Sequence, residues 1–459
     1  MRNLLILLFL LLIIFLTRYC QSCCSVWGNC PTVNTNELCA DPLYKDSIYC
    51  RQIITQGNLT SAFKGRLDSL GFVKTDSCDC DANFALWASA THTVLELISA
   101  PPQESAGGRV GGVGGDIFCV NLPLQFTPRL VIRDQTGRND TAKLSNPNNA
   151  TAQVVKIAVV DSGVDTANTF INGFLWKDKS PLNSGCGSYP QVSKYGINMS
   201  DRTQAPVDLN NHGTQVNAIL INYSRLFNEF YWQNEAFYGT NVRLEIMNVK
   251  FTEGSTLNGS LFKAICGMYY AIKKGAKVIN VSWGFYADDV PVILKPILQY
   301  AQDSNVLIVA GAGNQKSDID GKRAFWPAAF ARDTMSYWDD NTKFIKNVIS
   351  VGGYKVNAVT HNFENISDTS NYGANSVNVY ALGQDVFTIL AHPSGQTAVG
   401  DGTSFATPFV TRTAAILRGL KPTKTAADIK QCVINATKAQ GSTIGNIKSH
   451  NHDATLLCN

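Results

Sequence analysis

The chain has 459 residues, enough for one large α/β domain and a smaller module. Apolar residues make up 45% and charged residues 16%, too apolar a balance for an intrinsically disordered chain. The formal net charge of +4 is small for this length and gives no case for nucleic acid or an anionic membrane surface as a partner.

Residues 1–22 read as a signal peptide. Arg2 is the basic start, and residues 4–16 are an unbroken run of 13 apolar residues, short for a bilayer span. Cleavage after Ser22 puts Cys20 and Ser22 at the small-residue positions, and no stable membrane span is then expected. The expected location is secreted or extracytoplasmic. A retained signal anchor, or a lipoprotein modified at Cys23, is the competing reading. The 13 cysteines fit export to an oxidising compartment. Nine lie at or before Cys119, and only Cys186, Cys266, Cys432 and Cys458 follow. Spacing does not encode their pairing. Proximity alone favours Cys432 with Cys458, and Cys266 reads as a small core residue. Of the Asn-x-Ser/Thr triplets, the one at Asn280 lies in an apolar strand and suits a glycan least.

Residues 23–152 read as a small Cys-rich α+β module. Residues 67–98 supply its regular part. Cys78-Asp79-Cys80 lacks a partner histidine pair and reads as disulfide chemistry rather than a zinc site. Residues 107–115 contain six glycines, a linker or exposed loop. Residues 128–153 are polar and turn-rich, so the domain boundary and a site of chain scission are expected there.

From residue 154 the texture changes. Apolar runs at 154–160, 242–251, 278–282, 306–310 and 348–351 read as strands. Helical patterns at 211–222, 261–274 and 290–303 alternate with them, and Gly275 is the expected stop of the second. The alternation implies a mostly parallel sheet with helices on both faces and sites at the carboxyl ends of its strands.

Four stretches carry chemistry. Asp161 ends the first strand, where a buried carboxylate needs a donor such as a histidine. His212 opens a helix in Asn210-Asn211-His212-Gly213-Thr214. Asn314 ends Gly311-Ala312-Gly313-Asn314, whose glycines permit close backbone approach. Ser404 follows Gly402-Thr403 at the start of an apolar helix, with Pro408 expected near the first turn. Taken singly, each is a turn residue, a satisfied histidine or a helix cap.

Together, in the order Asp, His, Ser, they resemble the subtilisin-like serine peptidases over residues 153–459. Asp161 matches the strand-end aspartate, His212 the His-Gly-Thr histidine, Asn314 the oxyanion asparagine and Ser404 the Gly-Thr-Ser-x-Ala-x-Pro nucleophile. Ser282-Trp283-Gly284 resembles the substrate-binding strand, and Gly311, Ala312 and Gly313 match the opposite pocket wall. The resemblance implies an exported serine endopeptidase acting on proteins or peptides, made as a zymogen. Its runner-up is a catalytically silent relative that binds or scaffolds. An α/β-hydrolase lipase is excluded, because Ser404 has neither Gly-x-Ser-x-Gly nor that family's residue order.

The chain departs from the family at Ser162 (usually threonine), at Gln215 (often histidine) and at Trp283 (usually leucine). No cofactor is expected. Family resemblance alone admits calcium, yet the aromatic-rich stretch 222–239 has no Asp-rich ligand set. The N-terminal module keeps two readings: a prosegment that inhibits in cis until cleaved, or a retained disulfide-rich binding module.

Overall fold

The computed structural model describes residues 48–99, 117–121, 123–124, 129–131, 152–178, 186, 192–221, 242–255, 258–288, 290–321, 323–332, 345–357, 363–392, 394, 396–436, 438–442 and 445–449. The expected signal peptide, the glycine-rich linker, Cys458 and the segment 222–239 lie outside them.

The N-terminal part begins with β1 (Gln52–Gln56), α1 (Ser61–Ser69), β2 (Phe72–Cys78), β3 (Asp81–Ser89), α2 (Val94–Ser99) and β4 (Ile117–Val120). Its four strands form one sheet in the order β2-β3-β1-β4, with every pair antiparallel. α1 starts where the Thr60 hydroxyl caps the Phe63 N–H. Ile53, Phe63, Leu67, Phe72, Val94 and Leu97 make a small core of their own. Two short strands follow, β5 (Pro123–Leu124) and β6 (Arg129–Val131).

The larger part is built on β7 (Gln153–Asp161), α3 (Thr169–Asn172), β8 (Gly196–Asn198), α4 (His212–Leu220), β9 (Val242–Lys250), β10 (Gly259–Ser260) and α5 (Leu261–Lys273). Then come β11 (Val278–Val281), β12 (Phe285–Ala287), α6 (Lys295–Asp303), β13 (Leu307–Gly311), β14 (Ala324–Trp326), β15 (Val348–Val356) and β16 (Phe363–Ile366). The chain continues through β17 (Val379–Leu382), β18 (Val386–Ile389), β19 (Thr397–Asp401), α7 (Thr403–Leu420), α8 (Ala426–Asn435), β20 (Lys438–Ser442) and β21 (Gly445–Ser449). The central sheet runs β20-β21-β17-β15-β13-β11-β7-β9-β8, with β16 pairing to β15. Only the β15–β16 and β20–β21 pairs are antiparallel.

The expected strands form because their β-branched runs fit a sheet buried on both faces. Alternate residues supply two cores. Ala158, Val160, Ile279 and Ile308 face α5 and α6, while Ile157, Val159, Val278 and Val309 face α4, α7 and α8. Each fully buried Val or Ile contributes about 1.5–3 kcal/mol. Asn280 is the polar exception within β11. Its amide is buried, donates to Ser282 Oγ and accepts from Thr411 Oγ1, so it is closed to a glycan. Gly275 ends α5 as expected, at a left-handed φ of 88° just past the C-cap Lys274.

The two parts meet along α5. Phe84 of β3 stacks on Phe262 at 5.0 Å, and Asn121 Oδ1 accepts the Phe262 N–H. β5 pairs antiparallel with β10, and β6 pairs antiparallel with β19.

Candidate active site

The parallel register sets the site. Asp161 is the last residue of β7, beside Lys250 at the end of β9, and Gly311 ends β13 two strands away. α4 and α7 both begin at this edge.

One half of the site is charged. Asp161 Oδ1 lies 2.8 Å from His212 Nδ1, and both side chains are 1% exposed. A nitrogen facing a carboxylate carries the ring proton, which leaves Nε2 as the basic nitrogen. The Ser162 N–H also donates to Asp161 Oδ1 at 2.7 Å. Behind this pair sits Asp208, fully buried, whose carboxylate accepts from Ser162 Oγ, from the Asn210, Asn211 and Thr214 N–H groups and from Thr214 Oγ1. It winds the entry loop around the positive end of α4 and so holds His212 in place. Gly213 has no alternative there, because a Cβ would stand 2.1 Å from the Gly163 carbonyl oxygen. Lys250 Nζ donates to the Ser162 carbonyl at 2.7 Å and to Thr252 Oγ1 at 3.2 Å. Burial pushes its pKa below the usual lysine value, while the Asp208 and Asp161 charges pull it back up.

The other half is neutral. Ser404 stands in the first turn of α7, is 4% exposed, and its Oγ makes no hydrogen bond among the described residues. The His212 ring lies 5.8 Å from that of the next residue, Phe405. Asn314 Oδ1 accepts from the Thr403 N–H at 2.7 Å and from Thr403 Oγ1 at 2.9 Å. Those donors fix which end of the amide is oxygen, so Nδ2 turns toward the serine. Gly402, at φ 145°, marks where the groups converge: a Cβ there would be 3.1 Å from Asn314 Nδ2 and 3.3 Å from Ser404 Oγ.

Pro408 is the sixth residue of α7, one turn further in than expected. A proline there withholds the N–H that the Ser404 carbonyl would otherwise accept. Ser282 Oγ donates to that carbonyl instead, at 2.9 Å. This bond fastens the serine turn to the end of β11 and gives Ser282 a structural task. Trp283 turns its side chain into the core, where it is 2% exposed, donates its indole N–H to the Val160 carbonyl and packs edge-on against Phe251. The side chains of Ser282 and Trp283 are therefore both committed to the fold. On the facing wall the Gly313 N–H donates to Thr403 Oγ1. Buried Asn371 braces this wall, donating to the Ala312 carbonyl and accepting from the Gln315 and Ser317 N–H groups.

Asp161 and His212 thus meet in one contact, and Asn314 and Ser404 converge over Gly402. The sequence reading missed Asp208, Lys250, Thr403 as the latch of Asn314, and Asn371. Asp208 carried the one usable signal, an acidic residue four positions before the histidine. Cys432 is disulfide-bonded, but its expected partner Cys458 lies outside the described residues. Cys266 is fully buried, as a core residue would be. Among the described residues, no helix is long and apolar enough to cross a membrane.

The chain is 26% identical over 264 residues to subtilisin-like protease 2 of Plasmodium falciparum, a match that covers 57% of this chain and 17% of that one. It is 28% identical over 262 residues to the thermophilic serine proteinase of Bacillus sp. strain AK1, covering 57% and 51%. It is 30% identical over 267 residues to the cell wall-associated protease of Bacillus subtilis strain 168, covering 58% and 24%. These matches span about half of the relatives' length or less. In fold, the chain superposes on fervidolysin of Fervidobacterium pennivorans, described as a keratinolytic enzyme related to subtilisin. The TM-score is 0.58 at 16% identity, over 88% of this chain and 60% of that one. The sequence profile of the subtilase family, Peptidase S8, matches residues 152–451, and the chain belongs to that family.

Proposed function

We propose that the protein is an exported serine endopeptidase that hydrolyses peptide bonds in proteins or peptides. The observation that carries this reading is the buried 2.8 Å contact of Asp161 with His212, at the same sheet edge as Ser404 and the latched Asn314. Ser404 Oγ attacks the peptide carbonyl carbon. His212 Nε2 takes the hydroxyl proton and later passes it to the departing amine, while Asp161 holds the ring and stabilises its cationic form. The negative charge formed on the carbonyl oxygen is met by Asn314 Nδ2 and by the Ser404 N–H, which lies in the first helical turn where no intrahelical acceptor exists. The backbone of Ser282, Trp283 and Gly284 takes the extended substrate as an added strand, and Gly311, Ala312 and Gly313 line the facing wall. The reaction needs no cofactor.

The N-terminal module acts in this reading as an inhibitor in cis. The pairings of β5 with β10 and of β6 with β19, the strand that leads into Gly402, support it. Export is supported by the disulfide between Cys80 and Cys186 and by the bonded states of Cys50 and Cys432.

The test is labelling of the full chain and of its clipped form with a fluorophosphonate serine-hydrolase probe, with Ser404→Ala as control. The expected result is labelling at Ser404 once the module no longer covers the site. No labelling of any form, with the fold intact by circular dichroism, leaves the silent-relative reading in its place.

A further inference from the structure

We infer that the Cys80–Cys186 disulfide is a tether that keeps the N-terminal module on the peptidase after the chain between them is cut. The inference rests on the inhibitor role proposed above. Cys80 lies at the turn between β2 and β3 in the module, and Cys186 belongs to the larger part, 106 residues further on. Any cut between β6 and β7 separates these two cysteines into different fragments. Peptide-bond hydrolysis then yields two chains that remain one molecule.

The surrounding seam matches a permanent attachment. Arg202 pairs with Asp76 at 3.0 Å and donates to the Ser77 carbonyl, just before Cys78. Cys78 and, on α5, Cys266 are both buried thiols of the core shared across this seam. The stacked Phe84–Phe262 pair closes the same seam. Both bridged cysteines are nearly buried, at 8% and 6% exposed, so a thiolate reaches them only after the seam opens.

The consequence is a change in kinetic order. A module held by non-covalent contacts leaves when the protein is diluted below its dissociation constant. A tethered module faces its site at an effective concentration on the order of millimolar, whatever the bulk concentration. Scission alone therefore does not free the cleft. Release requires a dithiol: its thiolate attacks one bridge sulfur, the second thiol resolves the mixed disulfide, Cys80 and Cys186 leave as two thiols, and the dithiol is oxidised to a disulfide.

The experiment uses the full chain with a recognition sequence for a specific endopeptidase inserted between Lys143 and Leu144, so that the cut is made at will. The clipped protein is run on denaturing gels with and without reductant. Hydrolysis of a peptide substrate is read as the clipped protein is diluted from micromolar to nanomolar. One species without reductant and two with it are expected. Activity per molecule should stay flat on dilution of the clipped protein, but rise on the order of 10²-fold on dilution once a dithiol has reduced the bridge, and likewise on dilution alone in a clipped Cys186→Ser chain. Two fragments without reductant, or equal dilution responses of the clipped parent and Cys186→Ser, overturn the tether. The gel needs no cysteine variant, so misfolding of Cys186→Ser does not leave the inference open. If no form hydrolyses peptide or takes the fluorophosphonate probe, the peptidase reading fails, and the gel still decides whether the bridge holds the fragments together.

Discussion

The two halves of the candidate site are held by different physics. On the aspartate–histidine side, four ionisable groups, Asp161, His212, Asp208 and Lys250, sit buried within one network. On the serine–asparagine side the supports are neutral: Thr403 latches Asn314, Ser282 caps the Ser404 carbonyl, and Asn371 braces the wall. Charges in a low-dielectric interior act over distance and respond to pH. Neutral hydrogen bonds act by contact and respond to geometry. The first half is thus expected to fix when the site works, and the second how well.

The variant that should defeat both halves is Ser404→Ala, because it removes the group they converge on. We expect turnover to fall by about 10⁶, the scale known for the nucleophile of subtilisin itself. Self-cleavage between about Pro128 and Gln153 should also disappear. Intact mass after prolonged incubation checks this, and a fragment pattern equal to the parent's would remove the autocatalytic part of the reading. Next in size is Asn314→Ala. Loss of one oxyanion donor costs about 3 kcal/mol, on the order of 10² to 10³ in kcat, again the scale met in subtilisin. KM should hardly change, because the interaction forms only as charge develops. A rise in KM at constant kcat would instead make Asn314 a ground-state contact.

Thr403→Val tests the neutral half more gently. It removes the hydroxyl from Asn314 Oδ1 and from the Gly313 N–H but keeps the backbone latch. One such bond is worth about 1 kcal/mol, so kcat should drop by roughly fivefold with the pH profile unmoved. Lys250→Met tests the charged half and gives the smallest change at the pH optimum. Loss of the ammonium beside Asp161 and Asp208 leaves the environment of His212 more negative, which favours the imidazolium. Since the base must be neutral to accept the serine proton, the acid limb of kcat/KM should move to higher pH. Asp208→Asn carries the opposite sign and should move that limb to lower pH. Equal losses at all pH values in both variants would reduce the cluster to scaffolding and erase the contrast between the halves.

Much of this arrangement was legible in the chain. The strands were visible because runs such as Leu307-Ile308-Val309 suit only a sheet covered on both faces. Asp161, His212, Asn314 and Ser404 were visible because each sits in a short local pattern. Lys250 and Asn371 were not, because their partners are far away in sequence, and Asp208 reads as an ordinary turn aspartate until Ser162 is folded against it. Ser162 Oγ reaches Asp208 across 46 positions, and Lys250 reaches the Ser162 carbonyl across 88. A lysine at a strand end reads as a solvated residue until the fold closes over it. The Cys80–Cys186 bridge is hidden for the same reason, since its span of 106 positions is set by how the module docks and not by spacing.

The helix that carries Ser404 is buried at every position from Thr403 through Gly419. Amides so placed exchange with solvent hydrogen only when the whole structure opens. Ser404 therefore has no local route to its placement: its turn exists when the central core exists and vanishes with it. An incompletely folded chain carries the serine in its sequence but not the arrangement around it, so on the proposed reading it is inert toward other proteins until it has folded. Hydrolytic activity and slow exchange in α7 should disappear together along any denaturation curve.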